Sequence, residues 1–138
     1  MAYDGPERRF AHRHHVTCIA VQYRRPKYLG FSKTEMSRPC ELGDISGRGV
    51  KFYTADKLRT GTPLEVLFDC PMDVEAADSI PALPGKVMWQ EWSTKRKCFR
   101  TGVRFDHMRD EMRDTIMKMV DAAAKHDRRY GNGEQDIL

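Results

Sequence analysis

The chain has 138 residues, enough for a single hydrophobic core and too few for two. Its 24 lysines and arginines against 20 acids leave a net charge of +4, which suits an anionic ligand and is too small for bulk nucleic-acid binding. No apolar run approaches the roughly 20 residues of a membrane span, no secretory signal opens the chain, and the scattered Cys18, Cys40, Cys70 and Cys98 form no C-x-x-C pair. These features exclude membrane insertion, a zinc site and a disulfide framework as first readings, and point to reduced thiols in a cytoplasmic protein.

In chain order, residues 1–15 carry no periodicity. Asp4-Gly5-Pro6 breaks the chain before the cluster Arg8-Arg9-Phe10-Ala11-His12-Arg13, and the segment is expected to be a flexible lead-in ordered by ligand. Residues 16–23 read as a strand with Thr17, Ile19, Val21 and Tyr23 on one face. Arg24-Arg25-Pro26-Lys27 ends it. Residues 40–45 are a second strand leading into a turn over 46–49, and residues 50–53 a third with Val50 and Phe52 on one side. Leu64, Val66 and Phe68 alternate with Glu65 and Asp69 in a fourth strand over 64–69.

Residues 70–84, with Pro71, Pro81, Pro84 and several acids, read as a loop. Residues 86–92 and 98–105 form a hairpin turning over 93–97, with Phe99, Thr101, Val103 and Phe105 on one face. Short strands separated by turn signals favour a small antiparallel barrel over a parallel sheet. After Phe105 the period changes: Met108, Met112, Ile116, Met119 and Ala123 mark an amphipathic helix. Asp106 is the predicted N-cap, and the helix should end near 128–130, before Gly131-Asn132-Gly133. The predicted organisation is thus a 1–15 lead-in, a 16–130 unit of barrel plus helix, and a frayed 131–138 tail.

Two polar clusters carry the chemistry. Arg8, Arg9 and Arg13 offer planar forks of donors suited to phosphate oxygens and to the O6/N7 edge of guanine. In Asp44-Ile45-Ser46-Gly47-Arg48-Gly49 a carboxylate can accept from guanine N1–H and N2–H₂. A hydroxyl stands beside it, and glycines let backbone approach a flat ligand. Together the clusters describe a site for a guanine nucleotide. They resemble the paired RxxxR and (D/N)xSxxG motifs of the PilZ domain family, whose members bind the bacterial second messenger cyclic di-GMP. Gly85-Lys86-Val87-Met88-Trp89 and Gly102-Val103-Arg104-Phe105 extend the resemblance to strands near that family's barrel closure.

The resemblance implies a six-stranded antiparallel β-barrel with a C-terminal helix. It maps Arg9 and Arg13 onto the first motif, and Asp44, Ser46 and Gly49 onto the second. It also implies that the arginine segment wraps over ligand held on the barrel surface. Arg8, just before RxxxR, resembles the arrangement in members that hold two intercalated ligand molecules, so two cyclic di-GMP per chain are expected, one to one being the alternative. Trp89 either stacks on a guanine or packs in the core beside Val87, and Trp92 lies on the opposite face. The resemblance thus implies cyclic di-GMP as the ligand, with no further cofactor expected.

Blander readings stand beside these. The arginines alone would be a solvated basic tail, and Asp44, Ser46 and Gly49 an ordinary turn. His12, His14 and His15 beside three arginines make a poor cation site, so no metal is expected. No nucleophile–base arrangement and no Walker-type loop occur, so no enzymatic activity is expected. The methionine stripe reads as core. The expected function is a bacterial receptor that relays cyclic di-GMP levels to an unidentified output protein controlling motility, pili, exopolysaccharide or biofilm. The alternative is a small barrel binding single-stranded nucleic acid through its basic groups and Trp89 or Trp92.

Overall fold

Alternating burial along the chain sets the strands. Leu64, Val66 and Phe68 are buried while Glu65 and Leu67 between them are partly exposed, the period-two pattern of a sheet with one face on a core. The computed structural model describes residues 16–26, 36–71, 74 and 80–131. Six such strands form: β1 (Ala20–Arg24), β2 (Cys40–Ile45), β3 (Gly49–Thr54), β4 (Pro63–Asp69), β5 (Leu83–Ser93) and β6 (Cys98–Phe105). They close into an antiparallel barrel in the order β1-β2-β3-β6-β5-β4, and the helix α1 (Asp110–His126) follows. The predicted fold class is the observed one. Closure leaves no long open edge, which is how a small all-β unit avoids pairing with other chains.

The core is the barrel interior together with the inner stripe of α1. Val21, Ile45, Val50, Phe52, Val66, Val87 and Val103 fill the barrel, and Ile116, Met119, Val120 and Ala123 of α1 pack against it with no more than 3% exposure each. Met108 and Met112 complete the stripe at its margin, only partly buried. The Cys70 thiol donates to Met119 Sδ at 3.7 Å, and the Cys18 thiol to the Ala123 carbonyl at 3.5 Å. Since Cys70 follows β4 and Cys18 precedes β1, α1 covers the barrel end where β1 begins and β4 finishes. The opposite end is closed by polar groups. Thr54 and Thr101 hydroxyls lie 3.2 Å apart, and the Gln90 amide donates to Thr101 Oγ1 at 2.9 Å.

Several boundaries differ from the sequence expectation. β1 starts at Ala20, not at residue 16, because the preceding residues are committed to α1. The Thr17 N–H donates to a carboxylate oxygen of the buried Asp127 at 2.6 Å, while Val16 and Ile19 are buried. Asp127 opens a π-helical turn (Asp127–Gly131) that ends the described chain. Asp106 is not the helix cap. Its N–H donates to the Pro84 carbonyl at 2.9 Å, which keeps it in the barrel wall, and His107 then takes φ 45°, turning the chain. Arg109 occupies the cap position, with no side-chain hydrogen bond. The 70–84 loop is shorter than expected, since β5 begins at Leu83 and Pro84 pairs with Glu65. The lead-in 1–15, with its arginines, and residues 132–138 lie outside the described residues.

Candidate functional site

A groove of about 280 Å³ runs over the outer face of β2, β3, β6 and β5. Asp44, Ser46 and Gly49 enter it from the second motif, Trp89 from β5, and Lys51, Arg48 and Arg104 from between them. Of the residues singled out in the sequence, the structure therefore brings these four together. Arg8, Arg9 and Arg13 fall outside the described residues.

Two β-bulges build this face. Simple alternation from Leu42 would send Asp44 into the core. The register of β2 against β3 shifts between Leu42 and Asp44, so Leu42 points inward opposite Phe52 while Asp44 pairs with the outward Lys51. The same device operates in β5. Val87 is fully buried opposite Val103, the register shifts, and Trp89 then pairs with Gly102 on the outside. Of the two readings of Trp89, core packing beside Val87 does not occur: the extra residue, Met88, turns the indole outward. The shift also turns Gln90 into the lumen, where it joins Thr54 and Thr101.

Glycines in this region serve the packing of strands and rings. A Cβ on Gly102 would lie 2.4 Å from Trp89 Cε2, so the indole rests directly on the glycine backbone. A Cβ on Gly49 would lie 2.3 Å from the Val103 carbonyl oxygen, so this motif glycine is required by the close approach of β6, whatever the ligand. The turn between β2 and β3 is held by Ser46. Its N–H donates to the Gly49 carbonyl at 3.0 Å, and its hydroxyl accepts from the Arg48 N–H at 3.2 Å. The Arg48 carbonyl in turn accepts from the Phe105 N–H, tying the turn to the end of β6.

Charge in the groove is mostly positive, with Arg48, Lys51 and Arg104 facing one carboxylate, Asp44. Lys51 Nζ sits 3.7 Å from Asp44 Oδ2 and 5.6 Å from the centre of the Trp89 ring, while the Arg100 guanidinium lies 5.4 Å from the same ring. An aromatic face flanked by cations, one acceptor and a buried hydroxyl can hold a planar anionic ligand, stacked and hydrogen-bonded at its edge. Lys51, Arg48 and Arg104 were not singled out in the sequence. The outward positions of β3 and β6 could have found Lys51 and Arg104, because they alternate with the buried Val50, Phe52, Val103 and Phe105.

A second polar cluster lies at α1. Cys18, His126 and Asp127 bring ligand-type atoms within 4.8 Å of one another. Burial, reinforced by the neighbouring Asp127 carboxylate, pushes the Cys18 thiol up to about 12, so it stays protonated as a hydrogen-bond donor. With Asp127 accepting from Thr17 and the thiol donating to Ala123, the cluster works as a latch between the entry to β1 and the end of α1.

The family model described as PilZ domain matches residues 7–122. No curated protein matches the chain. Among solved structures, the inhibitor of motility MotI/DgrA of Bacillus subtilis is similar, with a TM-score of 0.56 at 12% identity over 86% of this chain and 51% of that one. The PilZ domain of YcgR from Escherichia coli, solved with c-di-GMP, gives 0.55 at 11% identity over 88% and 95%. A tetrameric PilZ protein from Xanthomonas campestris, self-assembled through a helical bundle, gives 0.50 at 17% over 74% and 54%. The chain thus spans about half the length of the Bacillus and Xanthomonas proteins and nearly the whole E. coli domain. At such identities the likeness is one of fold, and it agrees with the barrel order and helix described above. With the family model covering most of its length, the chain belongs to the PilZ domain family.

Proposed function

We propose that this protein is a receptor for cyclic di-GMP that acts on an output protein and performs no chemistry of its own. The observation that carries the reading is the convergence of Asp44, Ser46 and Trp89 on one cationic groove, produced by two separate bulges. Asp44 would accept from guanine N1–H and N2–H₂, with Trp89 offering a stacking face. Lys51, Arg48 and Arg104, which line the groove, would meet phosphate together with Arg8, Arg9 and Arg13 of the lead-in. The similar E. coli domain was solved with this ligand, which supports the choice. The process served is motility, pili, exopolysaccharide or biofilm, and the site of action is the cytoplasm.

The single-stranded nucleic acid reading fits less well. Such proteins set several aromatics on one strand face, whereas Trp89 and Trp92 lie on opposite faces of β5, Trp89 opposite Gly102 and Trp92 opposite Phe99 at the exposed end of the hairpin. Titration calorimetry of the purified chain with cyclic di-GMP tests the proposal, with GMP and single-stranded RNA as controls. Saturable binding of cyclic di-GMP alone is expected. Loss of one charge-assisted contact in Arg9→Ala or Arg13→Ala should weaken it by about ten- to a hundredfold. Equal or tighter binding of RNA would overturn it.

A further inference from the structure

The β5–β6 hairpin ends in a surface that the groove does not use. It lies at the barrel end opposite α1 and the 46–49 turn. Trp92 is 53% exposed there, and its ring meets Phe99 edge-on at 5.1 Å. A tryptophan left half in water is a costly surface group, and the type most often found anchoring protein contacts.

The tip is held rigid from both sides. Arg96 forms an ion pair with Glu41 of β2 and stands 4.3 Å from the Tyr53 ring of β3. Ser93 accepts from Arg96 N–H through its hydroxyl and from Lys97 N–H, at 2.7 Å, through its carbonyl. Lys97 takes φ 55°, a left-handed conformation that glycine would adopt more readily. A lysine is nonetheless placed there.

The charges around Trp92 do not balance. Lys95 and Lys97 are exposed on the turn. The Leu58 N–H donates to Gln90 Oε1 at 2.7 Å, which brings the exposed Lys57 and Arg59 alongside β5. The nearby carboxylates are already engaged: Glu41 by Arg96, Glu91 by Arg100, and Asp56 by the Tyr23 hydroxyl. Two exposed cations on the turn next to the indole and two more alongside β5 complement an acidic surface with an apolar anchor.

We propose that this hairpin end, centred on Trp92 with Lys95, Lys97, Lys57 and Arg59, docks an acidic protein segment carrying a large aliphatic or aromatic side chain. The indole supplies the anchor contact, the lysines steer and register the partner, and the braced turn keeps the ordering cost of binding low. Docking at this end leaves the groove open. As the output face of a receptor the surface rests on the cyclic di-GMP reading, but the contact itself does not.

The two tryptophans make the test direct, because each indole N–H gives its own nitrogen-15 NMR signal. Trp92→Phe and Trp89→Phe assign the two signals. The probe is a synthetic peptide of glutamates bracketing two leucines, added to the full chain. The Trp92 signal should shift saturably while that of Trp89 stays in place. The double variant Lys95→Glu/Lys97→Glu, altered only at exposed positions, should keep its melting temperature and bind the peptide at least about tenfold more weakly. A serine-for-leucine peptide should weaken similarly. The proposal is overturned by an unmoved Trp92 signal, by equal response to the serine peptide, or by preference for oligouridylate. It is equally overturned if the Trp92 signal moves with protein concentration alone, which would indicate a second copy. Cyclic di-GMP added to the same sample is read at Trp89, so failure of the receptor reading and failure of the docking surface are separately visible.

Discussion

Replacing Gly102 by alanine probes the groove without touching any charged group. The new Cβ would fall 2.4 Å from Cε2 and 2.5 Å from Nε1 of Trp89. The indole must therefore lift off the sheet by more than an ångström. An indole offers about 150–250 Å² of surface. Lifting a half-buried one re-exposes on the order of 50–100 Å², or about 1–2.5 kcal/mol at 25 cal/mol per Å². Replacing a strand glycine returns about 0.5–1 kcal/mol, leaving a net loss near 1 kcal/mol. The diagnostic quantity is the coupling. In a Trp89→Ala background nothing remains to be displaced, so Gly102→Ala should be neutral or stabilising by about 0.5 kcal/mol. Urea unfolding of the four proteins measures this cycle, and cyclic di-GMP titration of each reads the groove. Equal destabilisation by Gly102→Ala in both backgrounds would refute the placement of the ring on the glycine.

Asp44→Ala should lower affinity for cyclic di-GMP and relax discrimination against cyclic di-AMP, with Asp44→Asn milder because its carbonyl still accepts; competition binding with both nucleotides checks this. Calorimetric stoichiometry should be two ligands per chain and fall towards one in Arg8→Leu; saturation of the unaltered chain at one would end that assignment. Alkaline pH should destabilise the fold through Cys18, whose folded-state value of about 12 lies above its unfolded one. The contribution of this thiol is intact below the unfolded value and is lost as pH climbs towards 12, since only the unfolded chain then sheds the proton. The melting temperature should therefore fall more steeply with rising pH in the natural chain than in Cys18→Ala. Asp127→Ala removes the charged acceptor of the part-buried Thr17 N–H bond and should cost about 1.5–3 kcal/mol of stability, the range of a hydrogen bond to an ionised group; chemical denaturation reads it.

Wherever a strand obeyed a plain period of two, the sequence disclosed it. Leu64, Val66 and Phe68, and likewise Thr101, Val103 and Phe105, point as their alternation requires. The stripe of α1 followed equally from its spacing of three and four. What stayed hidden were the departures from period. A bulge adds one residue without a compositional mark, so nothing in Val87-Met88-Trp89 announces that Trp89 leaves the core face. The start of β1 was misplaced for a different reason. Val16 and Ile19 are buried as strand residues would be, but Thr17 and Cys18 between them are bonded to Asp127 and Ala123, more than a hundred positions away. Asp106 has the chemistry of a cap, yet its N–H was claimed by Pro84, a non-local choice. Of the site, the motif residues of the turn were legible. Arg48 and the outward cations Lys51 and Arg104 became site residues only once three strands were laid side by side.

The hydrogen bond from Thr17 to Asp127 means that the barrel-and-helix unit begins and ends at one spot. Such a unit is a ring in all but covalent closure. It could be spliced into a surface loop of another protein, entering and leaving through adjacent points, without opening either core. A permuted chain that joins these points and starts elsewhere should fold to the same barrel. The arginine cluster leads into the ring at this junction, within a few residues of Thr17. If the proposed ligand engages that cluster, a host attached there would feel the pull directly, with no further lever required.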